Sequence, residues 1–399
     1  MRTKHRTKYL VIGDATNSMH VFNFVKTVLV PKDFEIHLFT LSAMKINPLF
    51  EKFYSENNIH LHSIYSPKRK GLLSKKYIYR IRNFILKFLL MIKLPRVDVC
   101  HIHSLYPTSI LLAKIFSFKF KKIILSYWGG DIEDTRSSTI NIRRKLFKKA
   151  LVITIPTLRT KEQFIEIYGS NFVDKLFVCR FATIGIDLIK QKSHNFTISD
   201  CKKSLNIPVE KICITVGYSA SRFQHQDQIL SILNALPENI KQKIYVIVPM
   251  QYNRANNDVY INNVHKIAKK CTFDIKILEE FVPFERSILL PMSTDIYLHL
   301  LDTDAFSNSL KEQVFSSSVI IKGSWLIYRE LDEMGAKVIS IDSLESLPEA
   351  ILSIIDRNYS REKVELFEPI YNLYCSSEVV KRWNEIINKA TLQENDTNK

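Results

Sequence analysis

Short apolar runs recur along the chain, separated by longer stretches in which apolar residues fall at helical spacing. In the first half the runs are YLVIG (9–13), EIHLFT (35–40), IHLHSI (59–64), VDVCHIH (97–103), KIILSYW (122–128) and LVITI (151–155). Runs of this length, apolar on both faces and each followed by helix-length sequence, predict parallel strands joined by crossover helices. A second series follows: ICITVG (212–217), KIYVIVP (243–249), FDIKIL (273–278), DIYLHLL (295–301), VIIKG (319–323) and KVISI (337–341). Helices are expected between them, for example over 228–236 and 256–270.

Residues 186–211 are polar, break this rhythm and run into Pro208, which predicts a linker. The fold class expected is therefore α/β, with two doubly wound Rossmann-like domains facing across a cleft. The first spans 1–190 and the second 205–375, with a terminal helix over 376–392 that can return to the first domain. In such sheets ligands bind beyond the carboxyl ends of the strands.

One helix has a pattern of its own. Over 74–93, Ile78, Ile81, Ile85, Leu89 and Ile92 share one stripe, Lys76, Arg80 and Lys87 lie opposite, and PKRK precedes them at 67–70. This is the pattern of a core helix with a solvated cationic face, and equally of a helix lying on a membrane surface.

Composition changes the picture in three ways. Only 9 of 399 residues are glycine, and neither G-x-G-x-x-G nor G-x-x-x-x-G-K-[ST] occurs, which removes dinucleotide-fingerprint and P-loop enzymes. No apolar run is long enough to span a bilayer, and the apolar run after the basic start is too short for a secretory signal. Cysteines at 100, 179, 201, 213, 271 and 375 show neither C-x-x-C nor paired metal spacing, consistent with a reducing cytoplasm. Charge is lopsided: residues 1–200 hold 34 Lys and Arg against 14 Asp and Glu, whereas residues 201–399 hold 23 against 26. A basic half attracts polyanions, and the expectation is a protein peripheral to the inner face of the cytoplasmic membrane, with an anionic membrane surface as partner.

Candidate chemistry lies in the loops that follow strands. The loop 13–20 ends at His20, which titrates near neutrality and can take a proton from a sugar hydroxyl; Asp14 in the same loop could be the base or cap the helix. SYWGGD (126–131) ends in Asp131, a second candidate base or an N-cap. Two histidines of VDVCHIH, His101 and His103, share a face and read as structural or substrate-contacting. No metal ligand set is expected.

In the second half, Gly217, Tyr218, Ser219 and Arg222 follow a strand and open a helix, where backbone N–H groups and one guanidinium can hold a pyrophosphate. The segment DTDAFSNSLKE (302–312) offers a helix start at Ser307, Asn308 and Ser309, with Asp304 before it and Glu312 one turn in, placed for a ribose diol. Asp302 and Asp304 also match the metal-chelating D-x-D of one-domain sugar transferases, a reading set aside for a two-domain chain.

YWGGD (127–131), VGYSASR (216–222), VIVPMQYNRANNDVYINNV (246–264) and FSNSLKEQVFSSSVIIKG (306–323) together resemble GT-B glycosyltransferases. The nearest resemblance is to glycosyltransferase family 56, which moves 4-acetamido-4,6-dideoxygalactose from a dTDP donor to a lipid-linked oligosaccharide. It implies that Arg222, Tyr252 and the segment Ser307–Glu312 surround a nucleotide-sugar, while the first domain takes a polyprenyl-pyrophosphate-linked acceptor. That family has glycines where this chain has Ser307 and Ser309, and no acid opposite Asp304. The Asp304-to-Glu312 spacing instead resembles retaining family 4, whose donor-clamping Lys is missing after Arg222.

The activity expected is glycosyl transfer in bacterial surface polysaccharide synthesis (lipopolysaccharide, capsule or common antigen). It would be metal-independent and without cofactor, the leaving diphosphate being stabilised by fixed dipoles and Arg222. Two rival readings are a sugar-nucleotide epimerase of the same layout and a basic nucleic-acid-binding protein. The chain has no RNP-type aromatic and basic motif, so no nucleic acid partner is expected.

Overall fold

The computed structural model describes residues 6–43, 45–65, 76–103, 105–132, 134, 136–254, 257–280, 282–355 and 364–392. The PKRK run at 67–70 and the last residues of the tail lie outside this set. The chain divides into two compact units, one of Met1–Ala182 with Ser376–Lys399, the other of Thr183–Cys375.

The first unit is built on a seven-stranded parallel sheet in the order β3-β2-β1-β4-β5-β6-β7. Its strands are β1 (Thr7–Gly13), β2 (Phe34–Thr40), β3 (His60–His62), β4 (Val97–His103), β5 (Phe120–Ser126), β6 (Val152–Ile155) and β7 (Leu176–Val178). Strands buried on both faces need apolar side chains on both. Leu10 and Ile12 of β1 enter one core cluster while Tyr9 and Val11 enter the other. The terminal helix Ser376–Leu392 belongs to this unit; Val379, Trp383, Ile386 and Ile387 fill the second cluster, and the Trp383 indole N–H donates to the Arg180 carbonyl at 3.0 Å.

The second unit carries a six-stranded parallel sheet in the order β10-β9-β8-β11-β12-β13. Its strands are β8 (Ile212–Val216), β9 (Ile244–Pro249), β10 (Asp274–Leu278), β11 (Ile296–His299), β12 (Val319–Gly323) and β13 (Val338–Ile341). Ile296 and Leu298 face one core cluster and Tyr297 the other. The strand order reverses direction between β1 and β4 and again between β8 and β11. These switch points open crevices at the carboxyl ends of both sheets.

The structure corrects one expectation, adds one strand and decides one helix face. Residues 186–211 are not a linker: they contribute helices Ile184–Ser193 and Ile198–Ser204 to the second unit, where Ile186, Ile189 and Cys201 are buried. Their polar look is one exposed face of each helix, and a buried Lys202–Asp295 ion pair at 2.8 Å adds to it. β7 was not expected, since three residues carry too little pattern. Helix Lys76–Lys93 forms as read, but Ile81, Ile85, Leu89 and Ile92 face solvent while Phe84, Phe88 and Met91 meet the core. Among the described residues no helix is long and apolar enough to cross a membrane.

Candidate functional site

In the second unit the loops after β8, β9 and β11 converge on the carboxyl edge of the sheet. Each contains a non-glycine residue held in the left-handed region: His225 (φ 52°), Asn253 (φ 56°) and Phe306 (φ 65°). Such backbone costs about 1–3 kcal/mol apiece and persists where surrounding contacts over-determine it, as at ligand sites. Phe306 is pinned by burial against Tyr328 and Tyr374, with ring centroids 5.2 and 5.6 Å away.

Gly217 (φ 65°) turns the chain at the end of β8, and its amide donates to Leu298 O at 3.0 Å. A Cβ there would collide with the Gln224 side-chain oxygen, which accepts from the Tyr218 amide at 3.2 Å. Ala220 N–H donates to Tyr252 O at 2.8 Å, tying this loop to the one after β9. Ser219 is buried with its hydroxyl unpartnered. Arg222 is exposed and lines an open groove with Asn257, Tyr260, Asn263 and Lys266 of the segment that includes helix Asp258–Ala268.

Ser307 caps helix Asn308–Phe315, its hydroxyl accepting from Leu310 N–H at 3.4 Å. The expected helix start is therefore in place, and first-turn amides of such a helix have no acceptor within it. The side chains have local partners: Asn308 Oδ1 accepts from Thr183 at 3.1 Å, and the Ser309 hydroxyl lies 3.3 Å from that of Tyr297.

Asp304 holds the loop rather than a ligand. Its Oδ1 accepts from Tyr218 at 3.1 Å, and its Oδ2 accepts from Ser307 N–H at 2.8 Å and Tyr328 at 2.9 Å, with His299 Nε2 at 3.3 Å. Although burial acts to raise its pKa, these partners, His299 foremost, lower it to about 2. Asp302 points elsewhere, its carboxylate 2.6 Å from His225 Nε2.

Glu312 is the reactive-looking acid of this unit. Its carboxylate lies against Gly185 of helix Ile184–Ser193, where a Cβ would strike it. Burial raises its pKa to about 7, opposed by Lys311, and its charge pushes up the half-exposed Tyr252 phenol after burial does. Gly185 escaped the sequence reading because nothing local marks it; its part depends on a residue 127 positions later.

In the first unit the loop after β1 is an Asx turn. Asp14 Oδ1 accepts from Thr16 N–H (3.1 Å), Thr16 Oγ1 (2.7 Å) and Asn17 N–H (3.2 Å), and Ser18 caps helix Met19–Phe24. His20 opens that helix and stands in an aromatic box, 5.4 Å from both Trp128 and Phe181, which lie 4.9 Å apart. Buried His103 lies 6.0 Å from Trp128 with neither ring nitrogen partnered, and the Trp128 indole nitrogen is unpartnered too. Buried polar groups without partners are rare, and these lie at the carboxyl ends of β4 and β5, the end at which wound sheets in general take ligands. Burial, with the charge of His20 adding to it, lowers the His103 pKa to about 3, so the ring is neutral. His101, by contrast, is satisfied by Ser126 (2.8 Å) and Tyr9 (3.1 Å).

Asp131, the second candidate base, is 2% exposed and wholly engaged. Its oxygens accept from Leu105 N–H at 2.8 Å and Trp128 N–H at 2.9 Å, with Arg143 at 3.5 Å, and burial raises its pKa to about 6. It scaffolds the turn that presents Trp128. At the opposite, amino edge of this sheet, Glu35, His37 and His60 bring ligand-type atoms within 4.8 Å of one another.

Residues 9–156 match the family described as Glycosyl transferase 4-like. No curated protein matches the chain. Solved structures do, over nearly all of it. Sucrose-phosphate synthase from Thermosynechococcus elongatus superposes with a TM-score of 0.69 at 9% identity, covering 96% of this chain and 99% of that one. A glycosyltransferase from Rickettsia africae gives 0.62 at 13% identity, covering 98% and 100%. UDP-GlcNAc 2-epimerase from Neisseria meningitidis, bound to UDP-GlcNAc, gives 0.56 at 13%, covering 96% and 99%. The fold is GT-B. These neighbours share the fold, and likeness to family 56 in particular has no counterpart among the matches.

Proposed function

We propose that the chain is a glycosyltransferase that moves a sugar from a dTDP- or UDP-linked donor to a lipid-linked or polysaccharide acceptor in bacterial surface polysaccharide synthesis, at the cytoplasmic face of an anionic membrane. A donor sugar and acceptor like those of family 56 are the finer form of this reading. The observation that carries it is the carboxyl edge of the second sheet, where Gly217, Tyr252, the capped start of helix Asn308–Phe315 and Glu312 converge through strained loops. Donor diphosphate against that helix start meets partial positive charge, Arg222 contributes a guanidinium, and Glu312 accepts from the ribose.

Bond making is simple to balance. The acceptor hydroxyl oxygen attacks the anomeric carbon, the bond from that carbon to the diphosphate oxygen breaks, and the nucleoside diphosphate leaves. In an inverting course the hydroxyl proton passes to a general base, the role proposed for His20. Asp302 is turned to His225 and Asp304 to Tyr218 and Ser307, and in this reading the leaving group is stabilised by dipoles and Arg222.

The test is a thermal-shift panel of UDP, dTDP and GDP, in which a ligand of the native state raises the melting temperature. Arg222→Ala is expected to abolish the shift; a shift left intact would place the diphosphate elsewhere. Incubation with donor alone separates the rival: isomerised sugar without transfer identifies an epimerase.

A further inference from the structure

The outward stripe of helix Lys76–Lys93 continues onto its neighbour. Ile81, Ile85, Leu89 and Ile92 are 44, 51, 50 and 51% exposed, and the adjoining helix Pro107–Ile115 exposes Leu111 and Ile115. The turn after it presents Phe118, 67% exposed. The two segments are locked together. Lys119 donates to the carbonyls of Met91 (3.1 Å), Ile92 (2.6 Å) and Leu94 (2.6 Å), and the Phe88 and Phe116 rings lie 5.1 Å apart. Single exposed apolar residues are ordinary; a continuous set on two locked helices marks a docking surface.

Its charge identifies the occupant. The two helices carry Lys76, Arg80, Arg82, Lys87, Lys93 and Lys114 in their sequences and no carboxylate. Lys93, Arg96 and Lys114 are exposed at the same end of the two helices as Ile92, Ile115 and Phe118. A second copy of this chain would set like charge against like, whereas an anionic lipid surface is complementary. Helix Lys76–Lys93, about 27 Å long at the usual rise per residue, can lie flat with its apolar side at the acyl boundary and lysines at phosphate level.

We infer that this face docks in the plane of an anionic phospholipid bilayer, with Ile81, Ile85, Leu89, Ile92 and Phe118 inserted and Lys93, Arg96 and Lys114 on the headgroups. This deepens the transferase reading, on which it rests, by naming the surface through which the first unit meets the acceptor's membrane.

The experiment is co-sedimentation of the full, tag-free chain with phosphatidylglycerol–phosphatidylcholine vesicles and with pure phosphatidylcholine vesicles, at low and high salt. Binding is expected to the anionic vesicles only, to weaken with salt, and to fall about tenfold or more in the double variant Ile85→Glu, Leu89→Glu. Both positions are exposed, so the variant should melt within a few degrees of the parent. Indifference to anionic vesicles, or undiminished binding by the variant, overturns the inference. So does a concentration-dependent dimer that the same variant dissolves without any vesicle binding. Nucleotide thermal shifts on the same samples keep the two ideas apart, because donor binding by the second unit does not require the docking face.

Discussion

The carboxylate of Glu312 rests on the Cα of Gly185, two residues from different helices of the second unit. Only a glycine leaves room there. Gly185→Ala would push the flexible end of Glu312 aside instead of clashing with backbone, so the stability cost should stay near about 1 kcal/mol. Donor affinity should suffer more, falling about tenfold if the displaced carboxylate no longer meets the ribose. Calorimetric titration of the nucleotide beside thermal melting separates the two effects; unchanged affinity would remove Glu312 from the donor site.

Glu312 also sets a pH dependence. Its carboxyl is raised from an ordinary value near 4.5 to about 7 by burial, so the folded state binds a proton that the unfolded chain has released. Stability from this group is therefore complete below about pH 4.5 and is lost as pH rises through 7. Wild type should lose about 1–2 kcal/mol relative to Glu312→Gln between pH 5 and pH 8, after allowance for partial solvent screening. Denaturant melts across that range would show it, and parallel curves for both proteins would refute the shift.

His20 and Asp131 can be told apart. A base that takes the acceptor proton contributes about 10²–10⁴ in rate, so His20→Ala should lose that much in kcat with the melting temperature and nucleotide shift preserved. Asp131→Asn should behave in the other way, losing about 2–4 kcal/mol of stability because Arg143 is left buried without its carboxylate partner. A stable, slow Asp131→Asn enzyme would exchange the roles.

Asp304 supports its neighbours with its charge. Its pKa is lowered to about 2, so the stability it contributes is present above the ordinary value near 3.8 and lost as pH falls toward 2. Asp304→Asn should cost about 2–4 kcal/mol and remove that acid-limb dependence in denaturant melts. A variant as stable as the parent at pH 6 would mean that Tyr218, Ser307 and Tyr328 find other partners.

Much of the fold was legible because parallel strands buried on both faces must be apolar almost throughout, as YLVIG and VIIKG are. The same rule hid β7, whose three residues are too few to carry a pattern. It also misread 186–211, where two helices show more polar than apolar positions. Gly217, Ser307 and Glu312 are legible as candidates because they follow strands, and the carboxyl ends of strands are where a wound sheet opens, whereas Tyr252 is a candidate only through the family resemblance.

By itself the sequence determined the alternation of strand and helix, the two-sheet plan, the basic first half and the position of each strand-end loop, since these depend on local composition and spacing. The tertiary structure alone decided how individual side chains are used. Asp131 and Asp304 became scaffolds because several donors from distant segments converge on them, and Glu312 became a poised acid because Gly185 leaves it a recess. Which stripe of helix Lys76–Lys93 meets solvent was settled in the same way. Burial and hydrogen-bond partners are properties of the packed neighbourhood, and residues far apart in the chain supply that neighbourhood.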